Sequence, residues 1–182
     1  GRHFTLNDRE FIHDGYLFAG DRGGAIKGKH IDVFLIDDQY APLSDKIKAA
    51  IARLTDKPVR FVINTHLHGD HTGGNEAFGK TGAVIVAHDN VRKRMSTAQF
   101  SQRFNRTTPP SPYAALPVVT FAEDISLHLN GDSLRVVHLA PAHTDGDAYI
   151  HFVKANVIHM GDAFPNGSYP FIDSGSGGTI DG

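Results

Sequence analysis

The sequence predicts an α/β chain of the α+β type, with a mixed sheet structure and helices on its outer faces. Three observations lead there. Short β-branched, apolar runs alternate with segments whose apolar residues recur at helical spacing. The second half is mostly strand-like runs separated by turn signals such as Asn130-Gly131, the pattern of antiparallel hairpins. With 182 residues, 40% hydrophobic and 21% charged, the chain can bury a real core and is most simply one domain, 1–182.

Taken in order, strands are expected over 11–19 and 31–37, both rich in apolar residues. A helix over 43–54 follows, because Ile47, Ile51 and Leu54 fall on one helical face. The run 59–64 after Pro58 is a buried strand that stops where polar and glycine residues begin. A short helical piece over 75–78 precedes a strand over 83–87. The next helix covers 89–95 and is expected to run on to 104. Residues 107–112, with three prolines, form a linker too short to divide domains. Strands over 118–121, 125–129, 133–139, 148–153 and 157–160 complete the pattern. The tail, 167–182, carries five glycines and is expected to be loop, with Tyr169, Pro170 and Phe171 packing over the functional site.

Composition excludes several classes of function. A net charge of −2 and a pI near 6.7 give no general attraction to phosphate backbones, and the basic run 92–94 is a solvated helix face, so nucleic acid is not an expected partner. No apolar stretch approaches the ~18 residues needed to span a membrane. No signal peptide opens the chain, and the start at Gly1 rather than Met is consistent with a soluble protein whose leader has been removed. Zero cysteines exclude disulfides and thiolate ligands, yet suit an oxidising or a reducing compartment equally.

The densest chemical signal is the run 65–71 (THLHGDH), which places His66, His68, Asp70 and His71 just past the end of the 59–64 strand. Neutral imidazoles and one anion at this density suit a divalent transition metal. In extended backbone His66 and His68 point to one side and hold one ion together, and Gly69 then lets the chain turn so that Asp70 and His71 face a second position. Two later residues repeat the placement. His143 lies in a loop past the 133–139 strand, where a third imidazole completes a three-histidine set, and Asp162 lies past the 157–160 strand, where its two oxygens can bridge two cations. Asp37 or Asp38, after an early strand, is a candidate carboxylate for fixing a histidine tautomer. The other histidines need no function; His128, His138 and His151 are expected to face solvent from strands, and His88 to look into the cleft.

These motifs together resemble the metallo-β-lactamase-fold hydrolases, a family that includes glyoxalase II, lactonases, phosphodiesterases and the zinc β-lactamases. The likeness is carried by residues 65–71, by 142–147 (AHTDGD), by Gly161-Asp162 and by 35–38 (LIDD), and covers roughly residues 11 to 165. It implies an αββα four-layer sandwich with metals in a cleft at one edge. It further implies that His66, His68 and His143 hold a first metal, that Asp70 and His71 hold a second, and that Asp162 bridges them. Zinc is the metal implied, as one or two ions, with manganese or iron as alternatives. Asp70 would be the catalytic residue that also orients a metal-activated water.

The chain departs from the family pattern after Asp162. Members continue with a helix, a strand ending in one more histidine, and a closing helix, whereas here 20 residues follow and none is histidine. The expectation is that the chain stops inside its domain, or that a neighbouring copy in a homo-oligomer supplies what is missing. The second metal would then be held more weakly. Residues 20–30 also have no counterpart in the family pattern.

Asp162 stands where the family's true β-lactamases carry Cys or Ser, so the resemblance favours a small-molecule ester, thioester, lactone or phosphoester as substrate over a β-lactam. A metal-binding domain without catalysis is the third reading. Two others fall away. Residues 74–81 fit the nucleotide-cradling pattern G-x-x-x-x-G-K-[ST], and 23–30 nearly fit it, but in both cases a strand rather than a helix follows the Lys position. No G-x-S-x-G stretch supports serine hydrolase chemistry.

Overall fold

A computed structural model of the chain describes residues 2–6, 9–13, 31–101 and 105–182. A hairpin of β1 (Arg2–Leu6) and β2 (Arg9–His13) comes first. The strand expected over 11–19 thus overlaps β2, and its remainder lies outside the described residues, as do 20–30.

Two four-stranded sheets carry the rest. In the first, β3 (Val33–Ile36), β4 (Val59–Ile63), β5 (Val84–His88) and β8 (Val119–Phe121) run parallel in that order. Parallel strands covered on both faces need near-continuous apolar runs, and Val62, Ile63, Ile85 and Val86 are almost wholly buried. In the second, β9 (Asp124–Leu129), β10 (Asp132–His138), β11 (Ala148–Phe152) and β12 (Val157–His159) form an antiparallel meander. Its strands alternate, with Leu134 and Val136 inward and Arg135 outward. The sheets pack face to face through Phe34, Ile63, Val86 and Phe121 from one and Leu134, Val136, Ile150 and Phe152 from the other. Each such side chain, fully buried, contributes roughly 1.5–3 kcal/mol relative to exposure.

Helices cover the far side of the first sheet. α1 (Ser44–Ala52) buries Ile47 and Ile51, one turn apart, and α3 (Asn75–Gly79) buries Phe78, all against Leu35, Val62 and Ile85. Leu54, expected on the buried face of α1, lies past its end and is exposed. α2 (Gly69–Thr72) is a single turn within the metal-seeking run. α4 (Asp89–Met95) packs Val91 and Met95 on Ala87 and Leu116. It stops at Met95 rather than running to 104, because the Ser96 and Thr97 hydroxyls donate to Lys93 O and satisfy the final turn. A small hairpin, β6 (Gln99–Ser101) with β7 (Arg106–Thr108), follows, so the expected linker begins in a strand. Among the described residues no helix shares the core on the side of the second sheet, so three layers of the four-layer sandwich are present.

The topology gathers chemistry at one edge. The carboxyl ends of β3 and β4 point the same way. β10 and β12 are both antiparallel to β11, so their carboxyl ends also share an edge. At that edge the Ala148 N–H donates to Thr65 O at 2.8 Å, tying the sheets together.

Candidate metal centre

Each strand end delivers one part of the centre. Past β4 the chain bends over 65–67 rather than staying extended, regains extended geometry at His68, the residue before α2, and buries His66. The loop between β10 and β11 brings in His143, which is also buried. That loop is pinned by Asp147, whose oxygens accept from Thr144 N at 2.8 Å and Thr144 Oγ1 at 2.5 Å. Past β12, Gly161 takes φ +55°, and a Cβ there would lie 2.8 Å from Thr65 Oγ1. Only glycine lets Asp162 come this close to the first motif.

Three ring nitrogens converge. His68 Nδ1 lies 3.2 Å from His66 Nε2 and 2.9 Å from His143 Nε2. The opposite nitrogen of each ring has an outward partner. Thr65 Oγ1 donates to Asp37 Oδ2 at 2.8 Å and therefore accepts from His66 Nδ1–H at 3.0 Å. His68 Nε2–H donates to Asp173 Oδ2 at 2.8 Å, and His143 Nδ1–H donates to the Phe171 carbonyl at 2.6 Å. With all three protons directed outward, three lone pairs face one another across about 3 Å, an arrangement that repels unless a cation sits between them. Burial, reinforced by His71, His68 and His143, also holds the His66 pKa far below the ordinary imidazole value, so its ring is neutral. The donor set fits a transition metal such as zinc.

A second group lies beside the first. His71 Nε2 is 3.3 Å from Asp162 Oδ1 and 3.6 Å from Asp70 Oδ2, while its Nδ1–H donates to Asp37 Oδ2 at 2.8 Å. Asp162 Oδ2 is 3.9 Å from His66 Nε2 and 3.7 Å from His143 Nε2, so its two oxygens face both groups. Burial opposes a charge on His71, but hydrogen bonds to Asp162 and Asp37 outweigh it and push its pKa up to about 10. The His71 contact in turn holds the Asp162 carboxyl well below the usual carboxylate range. A proton thus lies where a cation would balance the same carboxylate. His66, His68 and His143, and separately His66, His71 and Asp162, are each close enough to hold an ion.

All six residues singled out from the sequence, His66, His68, Asp70, His71, His143 and Asp162, come together. Of the two early aspartates, Asp37 contacts the histidines. It adopts φ +56°, and its carboxylate serves Thr65 N, Thr65 Oγ1 and His71 at once. Asp38 instead accepts from Gly74 N at 2.8 Å.

Asp173 was missed. It sits in a Ser- and Gly-rich stretch with no strand before it, so no strand-end rule marks it. Burial opposes its charge, but hydrogen bonds from Ser176 and His68 prevail and hold its pKa down. Of the three tail residues expected over the site, Phe171 reaches it, with its ring 5.8 Å from His143, while Tyr169 is almost fully exposed.

His88 does not look into the cleft. It caps α4 through Nδ1, donates to Ala122 O and stacks at 3.7 Å on His138, which is thereby partly buried rather than facing solvent. Residues 74–81 form α3 and a turn rather than a phosphate cradle, and a Cβ on Gly74 would lie 2.7 Å from Asp38 O.

The family model described as the metallo-beta-lactamase superfamily matches residues 30–182. The chain belongs to the metallo-β-lactamase superfamily, a family of hydrolases. A second model, described as the 3D domain, matches only residues 3–42. The chain is 24% identical over 164 residues to a 2,4-dinitroanisole O-demethylase subunit alpha of Nocardioides sp. (strain JS1661), covering 89% of this chain and 44% of that one. It is 30% identical over 129 residues to a hydroxyacylglutathione hydrolase of Nitrosococcus oceani, covering 70% and 47%. The chain thus spans about half the length of the curated relatives it matches. A metallo-β-lactamase of Cronobacter sakazakii superposes with a TM-score of 0.61 at 20% identity, covering 76% of this chain and 55% of that one, a likeness of fold. Among the described residues no helix is long and apolar enough to cross a membrane.

Proposed function

We propose that the chain is a zinc-dependent hydrolase acting on an ester, thioester, lactone or phosphoester. The observation that carries this reading is the inward orientation of His66 Nε2, His68 Nδ1 and His143 Nε2, each enforced by an acceptor on the far side of its ring. Zinc held by neutral imidazoles supplies a water of pKa roughly 7 and polarises a carbonyl or phosphoryl oxygen.

The chain's own residues set up that chemistry. Thr65 and Phe171 O hold His66 and His143 as Nδ1–H tautomers and Asp173 holds His68 as the Nε2–H tautomer, so that none turns a proton inward. Asp162 places one oxygen toward each group. Asp70, its side chain 41% exposed, faces His71 from the solvent side and orients the attacking water by accepting its hydrogen bond. Asp37 holds His71 with its Nε2 directed at Asp162 and Asp70.

The test is turnover by the zinc-loaded chain of an aryl ester, a lactone, a glutathione thioester and a phosphodiester, with and without chelator. Chelator-sensitive turnover of one of these, lost in His68→Ala, is the expected result. Efficient nitrocefin turnover with none of the others would replace this reading with β-lactam opening, which the fold likeness to the Cronobacter enzyme keeps in view. The alternative reading is a metal-binding domain without catalysis, supported by the solvent exposure of Asp70 and Asp162, 41% and 44%, in the second ligand group. One equivalent of metal with no turnover would establish it.

A further inference from the structure

A cavity of about 690 Å³ adjoins the metal centre and shares with it His68, Gly69, Phe171 and Asp173. Its volume is that of a small-molecule site. The tail forms one wall and the β6–β7 hairpin another. Leu67, Met95, Phe100 and Ile172 give it apolar surface, and Phe100 is 57% exposed although nothing in the core requires an aromatic ring there.

Charge decides what this surface can accept. Among the described residues lining the cavity, Arg94 is the one lysine or arginine. Its guanidinium is already committed: Nε and Nη2 clasp the Asp145 carboxylate at 2.7 and 2.6 Å, and Nη1 donates to Gln99 Oε1 at 3.3 Å. Two carboxylates, Glu76 and Asp173, line the same space. Glu76 pairs with Lys80 at 2.6 Å and Asp173 with His68. An anionic group entering would give up hydration, find no unpaired lysine or arginine among the described lining residues and meet two carboxylates. A neutral aromatic or aliphatic group would bury against Phe100 and Met95 at no such cost.

We infer that the cavity between the β6–β7 hairpin and the 171–176 tail is a specificity site for an uncharged, largely apolar part of the substrate, and that it discriminates against anionic groups at that position. This rests on the hydrolase reading for its catalytic consequence but not for its binding consequence. Phe100 is the residue that determines the preference for apolar groups, and Glu76 reinforces the exclusion of anions.

A matched pair of substrates tests it on the zinc-loaded chain: 4-(methylsulfonyl)phenyl acetate, which is neutral, and 4-acetoxybenzenesulfonate, which is anionic. With each value divided by the ester's own rate with hydroxide, kcat/KM is expected to be at least tenfold higher for the neutral ester. Phe100→Ala should raise KM for the neutral ester at least fivefold and lower kcat by less than that, and Glu76→Gln should narrow the gap between the esters. Binding of methyl phenyl sulfone and of benzenesulfonate, followed by ligand-observed NMR, gives a readout independent of turnover. Saturable sulfone binding, weakened at least fivefold in Phe100→Ala and without matching sulfonate binding, supports the inference even if neither ester is hydrolysed; in that case the hydrolase reading fails alone. Equal or tighter binding of the sulfonate, or no binding of either compound, overturns the inference whatever the chain hydrolyses.

Discussion

The two ligand groups differ in how they are held. His66 and His143 have side chains only 1% and 2% exposed and His68 26%, and every ring of their group is braced from behind, by Thr65 or by the 171–173 tail. In the neighbouring group Asp70 and Asp162 are 41% and 44% exposed, and only His71 has a brace, Asp37. Rigidity of the first group favours affinity, whereas openness of the second leaves room for a water and a substrate oxygen. The asymmetry predicts unequal metal binding, with the first ion held more tightly than the second.

Substitution should separate the groups, and the largest effect is expected for His68→Ala. It removes the nitrogen nearest both other imidazoles, so metal content measured by native mass spectrometry should fall by the tighter equivalent. Unchanged content would break the assignment. Asp162→Asn should come next, releasing the weaker equivalent while the tighter one stays. Loss of both together would mean that the groups are not separable. Asp173→Ala should weaken the tighter site about 10–100-fold in a chelator competition and leave the weaker site alone, whereas Asp173→Asn, which still accepts from His68 Nε2–H, should cost less. Asp37→Asn sharpens the comparison differently, because Asp37 holds His71 directly and His66 through Thr65; both affinities should drop together.

The smallest expected effect concerns Asp38, behind the open group. Burial pushes its pKa up to about 8, against the pull of the Gly74 N–H, and its Oδ2 has no hydrogen-bond partner among the described residues. The folded chain therefore keeps this carboxyl protonated over a range in which the unfolded chain has already ionised it. Stability contributed by the group is present in acid and is lost as pH rises from the ordinary carboxylate range to about 8. Asp38→Asn retains the acceptor for Gly74 without that loss. Its gain in Tm over the parent should widen between pH 5 and pH 8; a constant difference would contradict the assignment.

Much of this was legible in the residues because strand ends are legible. Apolar runs stop abruptly at polar and glycine residues, and His66, His143 and Asp162 each stand just past such a stop. What could not be read depends on distant chain segments meeting. Asp173 lies 105 residues from His68, and nothing local distinguishes it from any aspartate in a glycine-rich loop. His88 was misread for a related reason: its position at the start of a helix was visible, but its stacking partner His138 comes from the other sheet. β6 reads as a continuation of the helix because Arg92 to Met95 lead into it with no Gly or Pro to signal the stop, which comes from two hydroxyls folding back.

The Thr65–Ala148 hydrogen bond marks a seam, with His66, His68 and His71 arriving from one sheet and His143 and Asp162 from the other. An ion bound there would act as a rivet between two slabs otherwise joined by greasy contact and a few hydrogen bonds. Withdraw it, and mutually repelling nitrogens are left facing across the joint. The amide of Ala148 should then exchange with deuterium sooner than those deeper in β11, so the edge that carries the candidate metal centre is also where unfolding would start.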